Sequence, residues 1–346
     1  MQQKRIENFD LIRALCTLII VFYHIACMPD TNSFWSPIPY RYANGDWGHI
    51  TIVAAFFMLS GATLVLNHPT LEKKDLKIFY FKRFKSIFPM FYLVWGYMYL
   101  TNALTANTFL FRAPAKYLLL SFLGVDGYFN YLRENYYQVG EWFLGAIIML
   151  YVVFPILLFF YNRFFIPFSV LLTALFLANL HFDWFKISDS DNFITCVFCF
   201  WLGMIFVKYR TFLCNKIYFI ILALIVDAIL LFIPIPINGN ISMIALGGIV
   251  FYLLFHAADF VFKISFLKSF VNLTNKISYP IYLVHHVIIY YIFGKFGGSL
   301  LSHKQELLLS IPTVLSIYGI AYVVYMIHRE FTHSKTWLAI EHKVLG

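Results

Sequence analysis

Three ionisable side chains, Asp10, Arg13 and His24, lie inside the first long apolar stretch of this sequence, Asn8 to Met28 (NFDLIRALCTLIIVFYHIACM). A charged or titratable group within a membrane helix is costly and usually functional. Eleven residues separate Arg13 from His24, close to three helical turns, so the two share one face and lie roughly 16 Å apart along the axis. Asp10 falls on the same face one turn earlier. The stripe carries an acid and a cation toward one membrane surface and an imidazole toward the other. An imidazole titrates near neutrality and suits general-base work on a hydroxyl. Arg13 can also snorkel to lipid headgroups, and His24 can be a packed histidine bonded to a carbonyl. The shared face favours chemistry over those two coincidences.

Other segments carry polar groups in apolar company. Glu141 opens GEWFLGAIIMLYVVFP (Gly140–Pro155), at a helix N-terminus whose dipole favours a carboxylate in any case. If His24 lies in the outer half of its span, Glu141 is at the depth to orient or charge-balance it. In ISYPIYLVHH (Ile277–His286), Ser278 and His285 fall on one face, and an imidazole near mid-membrane calls for a polar partner or a cavity. Ser60-Gly61-Ala62 in FFMLSGATLVL (Phe56–Leu66) reads as close helix packing, with Ser60 a candidate lining residue. The run KIFYFKRFKSIFPMFY (Lys77–Tyr92) offers Lys82, Arg83 and Lys85 to the phosphates of a cytosolic cofactor, or to anionic lipid. Asp227, His256 and Asp259 read as helix–helix hydrogen-bonding groups. Cys196 and Cys199 form a CxxC without the second pair or nearby histidine of a zinc site, so they read as small buried hydrophobes and no metal is expected.

The elements that hold these groups must be membrane helices. The chain has 346 residues, 61% hydrophobic and 12% charged, about half the charge of a soluble domain. Long apolar runs make it an all-α polytopic membrane protein. Ten spans are read, at about 9–28, 48–67, 84–103, 140–161, 164–181, 192–207, 216–234, 240–262, 277–294 and 306–327. An even number puts both termini on one side, and 18 of the 26 Lys and Arg fall there against 7 opposite, with Arg13 inside the membrane. The positive-inside rule therefore makes both termini cytoplasmic. The net charge of +9 is then a topology signal rather than a nucleic-acid patch. The first helix is too long for a cleavable signal peptide and lacks its cleavage site. Two outer loops, about 29–47 and 104–139, are rich in aromatics (Trp35, Tyr40, Tyr42; Tyr117, Tyr128, Tyr131, Tyr136, Tyr137), which suits sugar binding or anchoring in the interfacial belt. Segment 115–124 reads as a short amphipathic helix. No internal repeat appears, which gives a transporter built from inverted repeats no support, and no soluble domain is appended: residues 1–346 read as a single integral-membrane domain.

Six motifs together resemble acyltransferase family 3, the polytopic enzymes that O-acylate bacterial surface polysaccharides and related glycans. They are FDLIRALCTLIIVFYH with Arg13 and His24 ten residues apart in the intervening count, FFMLSG, KRFKSIFPMFY, GEWFLGAIIMLYVVFP, FWLG (Phe200–Gly203) and ISYPIYLVHH. They occur in the family's order across nearly the whole chain, in a form without the fused extracytoplasmic domain of many members. The resemblance implies an acyl group, usually acetyl, taken from cytosolic acetyl-CoA and delivered to a surface polysaccharide or lipid-linked sugar, in the bacterial cytoplasmic membrane. Where the family's basic motif ends in an arginine, this chain has Ser86, which weakens the assignment of phosphate contacts to Lys82, Arg83 and Lys85. The competing reading, from another class, is a polysaccharide exporter or flippase that performs no acyl transfer.

Overall fold

A computed structural model describes residues 6–28, 40–182, 184–296 and 301–345. Trp35 and most of the first outer loop lie outside the described residues. In chain order the helices are α1 (Asn8–Ala26), a π-helical turn (Trp47–Thr51) running into α2 (Ile52–Asn67), α3 (Lys73–Ala106), the short α4 (Leu118–Phe122) and α5 (Asp126–Phe129), α6 (Glu141–Arg163), α7 (Phe165–Asn179), α8 (Phe193–Cys214), α9 (Ile217–Phe232), α10 (Gly239–Val261), α11 (Ser265–Lys295), α12 (His303–Thr332) and α13 (Lys335–Leu345). The described strands, β1 (Arg41–Tyr42) and β2 (Gly45–Asp46), form one antiparallel hairpin. This is an all-α membrane protein.

Seven stretches among the described residues are long and apolar enough to cross a membrane: α1, the π turn with α2, α6, α8, α10, α11 and α12. The expected count of ten is not reached on this measure, for two physical reasons. The spans at 164–181 and 216–234 are helices α7 and α9, of only 15 and 16 residues, short of the roughly 20 that a straight crossing takes. The span at 84–103 is the C-terminal part of α3, whose first half carries Lys73, Lys74, Lys77, Lys82, Arg83 and Lys85.

The chain divides into two compact units. The first comprises residues 1–69, 156–278 and 289–312. Its centre is the contact of α2 with α8, and glycine makes it: a Cβ on Gly61 would lie 2.0 Å from the carbonyl oxygen of Phe200, and one on Gly203 1.9 Å from that of Met58. The SGA and FWLG motifs are thus the two halves of one small-residue seam, as the composition of the first predicts. The CxxC pair is fully buried here, both thiols free. Asp46 starts the π turn, its carboxylate accepting from the N–H groups of Gly48 and His49. Asn8 donates to Asp259 at 3.0 Å, one of the expected interhelical bonds.

The second unit comprises residues 70–155, 279–288 and 313–346. Helix α3 begins with a capping box between Glu72 and Asp75 and stops at Asn107, which adopts left-handed backbone at φ 52°. Pro89 interrupts α3, and a proline leaves the carbonyl four residues earlier without its helical donor. That carbonyl is on Lys85. Tyr80 donates to the Val152 carbonyl at 2.9 Å, and Phe79 stacks on Phe154, joining α3 to the middle of α6. The expected surface helix at 115–124 is present as a 3₁₀ turn (Ala115–Tyr117) leading into α4. Helices α6, α11 and α12 each pass from one unit into the other within two residues of a proline, Pro155, Pro280 and Pro312.

Candidate active site

The N-terminal end of α1 carries a polar network within the first unit. Arg13 Nη1 donates to Asn275 Oδ1 at 2.8 Å, and Asn275 Nδ2 donates to Asp10 Oδ1 at 3.0 Å. Arg13 also stands 3.7 Å from Asp10, one turn away on its own helix. An acid, a cation and a neutral amide thus meet with complementary donors and acceptors. Ser278 donates to the Asn275 carbonyl at 3.0 Å, so it supports this network from one turn along α11. Arg13 keeps 34% of its side chain exposed while Asp10 keeps 7%, so the cation is the more accessible member of the pair. Thr17, between Arg13 and His24 on the same stripe, donates to the Arg13 carbonyl at 2.7 Å. His24 is half-buried, with its ring edge-on to Tyr23 at 5.1 Å. Ser60 is half-buried on α2 beside the packing glycine Gly61.

The second unit holds a different cluster, built around Glu141. Its backbone lies at φ 41°, in the left-handed region that a residue with a side chain enters only at a cost, directly after Gly140 at φ 92°. Tyr282 clamps that corner. Its hydroxyl donates to the Gly140 carbonyl and accepts from the Leu144 N–H at 3.0 Å, and the same N–H also donates to the Gly140 carbonyl at 3.1 Å, so the three groups close the first turn of α6. Gly127 lies against the other side, where a Cβ would fall 2.3 Å from the Glu141 carbonyl oxygen. Glu141 Oε1 is 2.5 Å from His286 Nε2 and 3.9 Å from His285 Nε2. His285 is 1% exposed, and its Nδ1 sits 2.8 Å from the Tyr282 carbonyl. A carbonyl only accepts, so Nδ1 carries the proton and the lone pair of the neutral ring is on Nε2, facing the Glu141 side. Glu141, His285 and His286 therefore direct one carboxylate oxygen and two imidazole nitrogens at a common point. Such a set can pass a proton or hold a cation.

The basic segment of α3 does not present its three cations alike. Lys82 is exposed. The Arg83 guanidinium lies 5.9 Å from the Phe79 ring and 5.7 Å from the Tyr151 ring. Lys85 is engaged by Glu341 of α13, Nζ to Oε2 at 2.6 Å. Ser86, at the position of the expected arginine, bonds the Arg83 carbonyl of its own helix.

The sequence points to Asp10, Arg13, Lys85, Glu141 and His285, and the structure adds side chains that contact them and that the sequence does not single out: Asn275, Tyr282, His286 and Glu341. The signals were slight. His286 adjoins His285 in LVHH, Tyr282 precedes it by one helical turn, and Asn275 is one turn before Ser278. Glu341 has no local sign at all. Residues 6–328 match a family model described as an acyltransferase domain. No curated protein and no solved structure matches the chain.

Proposed function

The chain belongs to that acyltransferase family, and from this premise we propose that it moves an acyl group, acetyl first, from cytosolic acyl-CoA to a hydroxyl of an extracytoplasmic or lipid-linked glycan. The observation that carries the reading is the match over residues 6–328, nearly the whole of a multi-pass membrane chain. Ten crossings in a bacterial cytoplasmic membrane, with both termini inside, place the basic segment of α3 on the donor's side. The excess of Lys and Arg on that side supports this orientation.

In this reading Arg13, whose side chain is partly exposed, and Arg83 and Lys82 contact the donor's phosphates. Lys85 contributes only when it leaves Glu341. His24 accepts the proton of the acceptor hydroxyl as the oxygen bonds to the thioester carbonyl carbon. The carbon–sulfur bond breaks, and CoA leaves as the thiol once its sulfur is protonated. Glu141 supplies the negative charge that steadies a protonated imidazole during transfer. The aromatic outer loops take the acceptor sugar.

The test is release of CoA thiol by purified protein supplied with acetyl-CoA and host lipid-linked glycan, wild type against His24→Ala. Thiol release and labelled glycan in the wild type, with loss of about 10²-fold or more in the folded variant, is the expected result. Transfer that survives His24→Ala removes His24 from the chemistry. A wild type that consumes neither acetyl-CoA nor succinyl-CoA while exporting glycan makes the chain an exporter.

A further inference from the structure

We propose that Glu141, His285 and His286 form a binding site for a divalent transition-metal ion of the zinc class. The inference goes beyond the acyl-transfer reading and does not rest on it. The spacing of the histidines along the chain does not point to a metal, because the donors stand on two separate helices, Glu141 on α6 and His285 with His286 on α11.

The donor set comes first. Two imidazole nitrogens and one carboxylate oxygen suit zinc and its neighbours in the first transition row, and three protein ligands leave one coordination position open. Spacing agrees. The ligating atoms of the three residues all lie within 4.8 Å of one another. Ligands about 2.0–2.1 Å from a tetrahedral ion stand roughly 3.3 Å apart. The separations from Glu141 Oε1, 2.5 Å to His286 and 3.9 Å to His285, bracket that figure, so a small rotation of one carboxylate completes the geometry. The two imidazole planes are inclined at 74°, which lets successive residues of one helix aim at one point.

The outer shell agrees as well. A ligating histidine generally donates its other ring N–H to a carbonyl or carboxylate, which fixes the tautomer and the ring orientation. His285 does so through Nδ1 to the Tyr282 carbonyl, leaving Nε2 as the ligand atom. The same tyrosine holds the Gly140–Glu141 corner through its hydroxyl. One residue therefore sets the direction of two of the three ligands, and Glu141 keeps a left-handed backbone conformation to take its place. The open position is suited to an oxygen ligand, a water or a hydroxyl.

The experiment is titration of the full chain, in detergent or nanodiscs after chelator treatment, with Co²⁺ and then Zn²⁺. The expected result is one Co²⁺ per chain, with visible ligand-field bands, no sulfur-to-cobalt charge transfer, and displacement by Zn²⁺. His286→Asn and Glu141→Gln should each weaken binding by tenfold or more. X-ray absorption on the zinc-loaded wild type, which needs no variant, should show two imidazoles and oxygen around the ion. A chain that stays folded and binds no Co²⁺ overturns the proposal and leaves the cluster sharing a proton. Sulfur in the first shell, or affinity indifferent to both variants, also overturns it. None of these outcomes bears on whether acetyl-CoA is consumed.

Discussion

Two polar clusters built from similar residues behave as opposites. The Asp10–Arg13–Asn275 network balances its own charge: one anion, one cation and an amide that donates to the first and accepts from the second. Its backbone is regular helix, and its parts lie on two helices of one unit. The Glu141–His285–His286 cluster pairs one carboxylate with two imidazoles and so lacks a fixed charge balance. It is held by left-handed backbone at Glu141 and by a tyrosine bonded into the start of α6. A settled network serves to present a side chain, here the exposed part of Arg13. In the proposed reading the unsettled one is where a proton or a cation is exchanged. Backbone strain is stored at the second and absent from the first, as expected where chemistry rather than stability decides geometry.

The comparison is broken or sharpened by substitutions on each side. The largest effect is expected from Glu141→Gln, which keeps the shape and removes the charge: acyl transfer should fall by about 10²–10⁴-fold with the chain still folded. Activity within a few-fold of wild type would place the unsettled cluster outside the reaction. Tyr282→Phe comes next. It deprives the Gly140 carbonyl and the Leu144 N–H of their shared partner, so kcat should drop by about 10²-fold as Glu141 shifts, with KM for the donor little changed. Asn275→Ala acts on the settled cluster and should do the reverse. KM for acyl-CoA rises as the Arg13 guanidinium loses its direction, kcat changes little, and stability falls by about 1–3 kcal/mol. A kcat loss matching that of Tyr282→Phe would erase the distinction between the clusters.

A smaller effect tests the support under Glu141. Asp126 adjoins Gly127, is 1% exposed, and has its carboxyl pushed above the usual range by burial, against the opposing hydrogen bond from the Gly127 N–H at 2.9 Å. A raised carboxyl favours the folded state below the unfolded-state value, about 3.9, and that contribution is lost as pH rises through the folded value. Asp126→Asn should therefore be more heat-stable than wild type near neutrality, with the advantage vanishing in acid. An unchanged pH dependence of Tm would show that Asp126 is not held protonated. The smallest effect belongs to Lys85 and Glu341, each with about a quarter to a third of its side chain exposed. A double-mutant cycle should give a coupling of at most about 1 kcal/mol.

Much of this was legible in the sequence, because membrane helices are written in composition and close packing in small residues. Gly61 could be assigned to a helix contact from its motif alone, whereas its counterpart Gly203 could not, and the stretches 9–28, 48–67, 140–161, 192–207, 240–262, 277–294 and 306–327 fall on helices able to cross. The other three expected spans fall where a helix is short, as in α7 and α9, or where apolar and basic halves fuse into one helix, as in α3. What the sequence hid was partnership. Spacing on α1 put Asp10 beside Arg13, but Asn275 lies 262 residues away from Arg13, and Glu341 lies 256 from Lys85. Periodicity sees one helix at a time. The left-handed conformation at Glu141 was hidden for a related reason: only the preceding Gly140 hints at a turn, and the clamp that holds it is on α11.

The central claim is that the chain carries an acyl group from a cytosolic donor to an outer acceptor. The direct measurement uses proteoliposomes of known orientation with labelled acetyl-CoA on the face bearing Lys82 and Arg83 and lipid-linked glycan as acceptor. The account predicts label on the glycan and thiol released only on the donor's side, both lost in His24→Ala. Label transferred equally from donor on either face, or glycan moved across the bilayer with no acyl-CoA consumed, would contradict it.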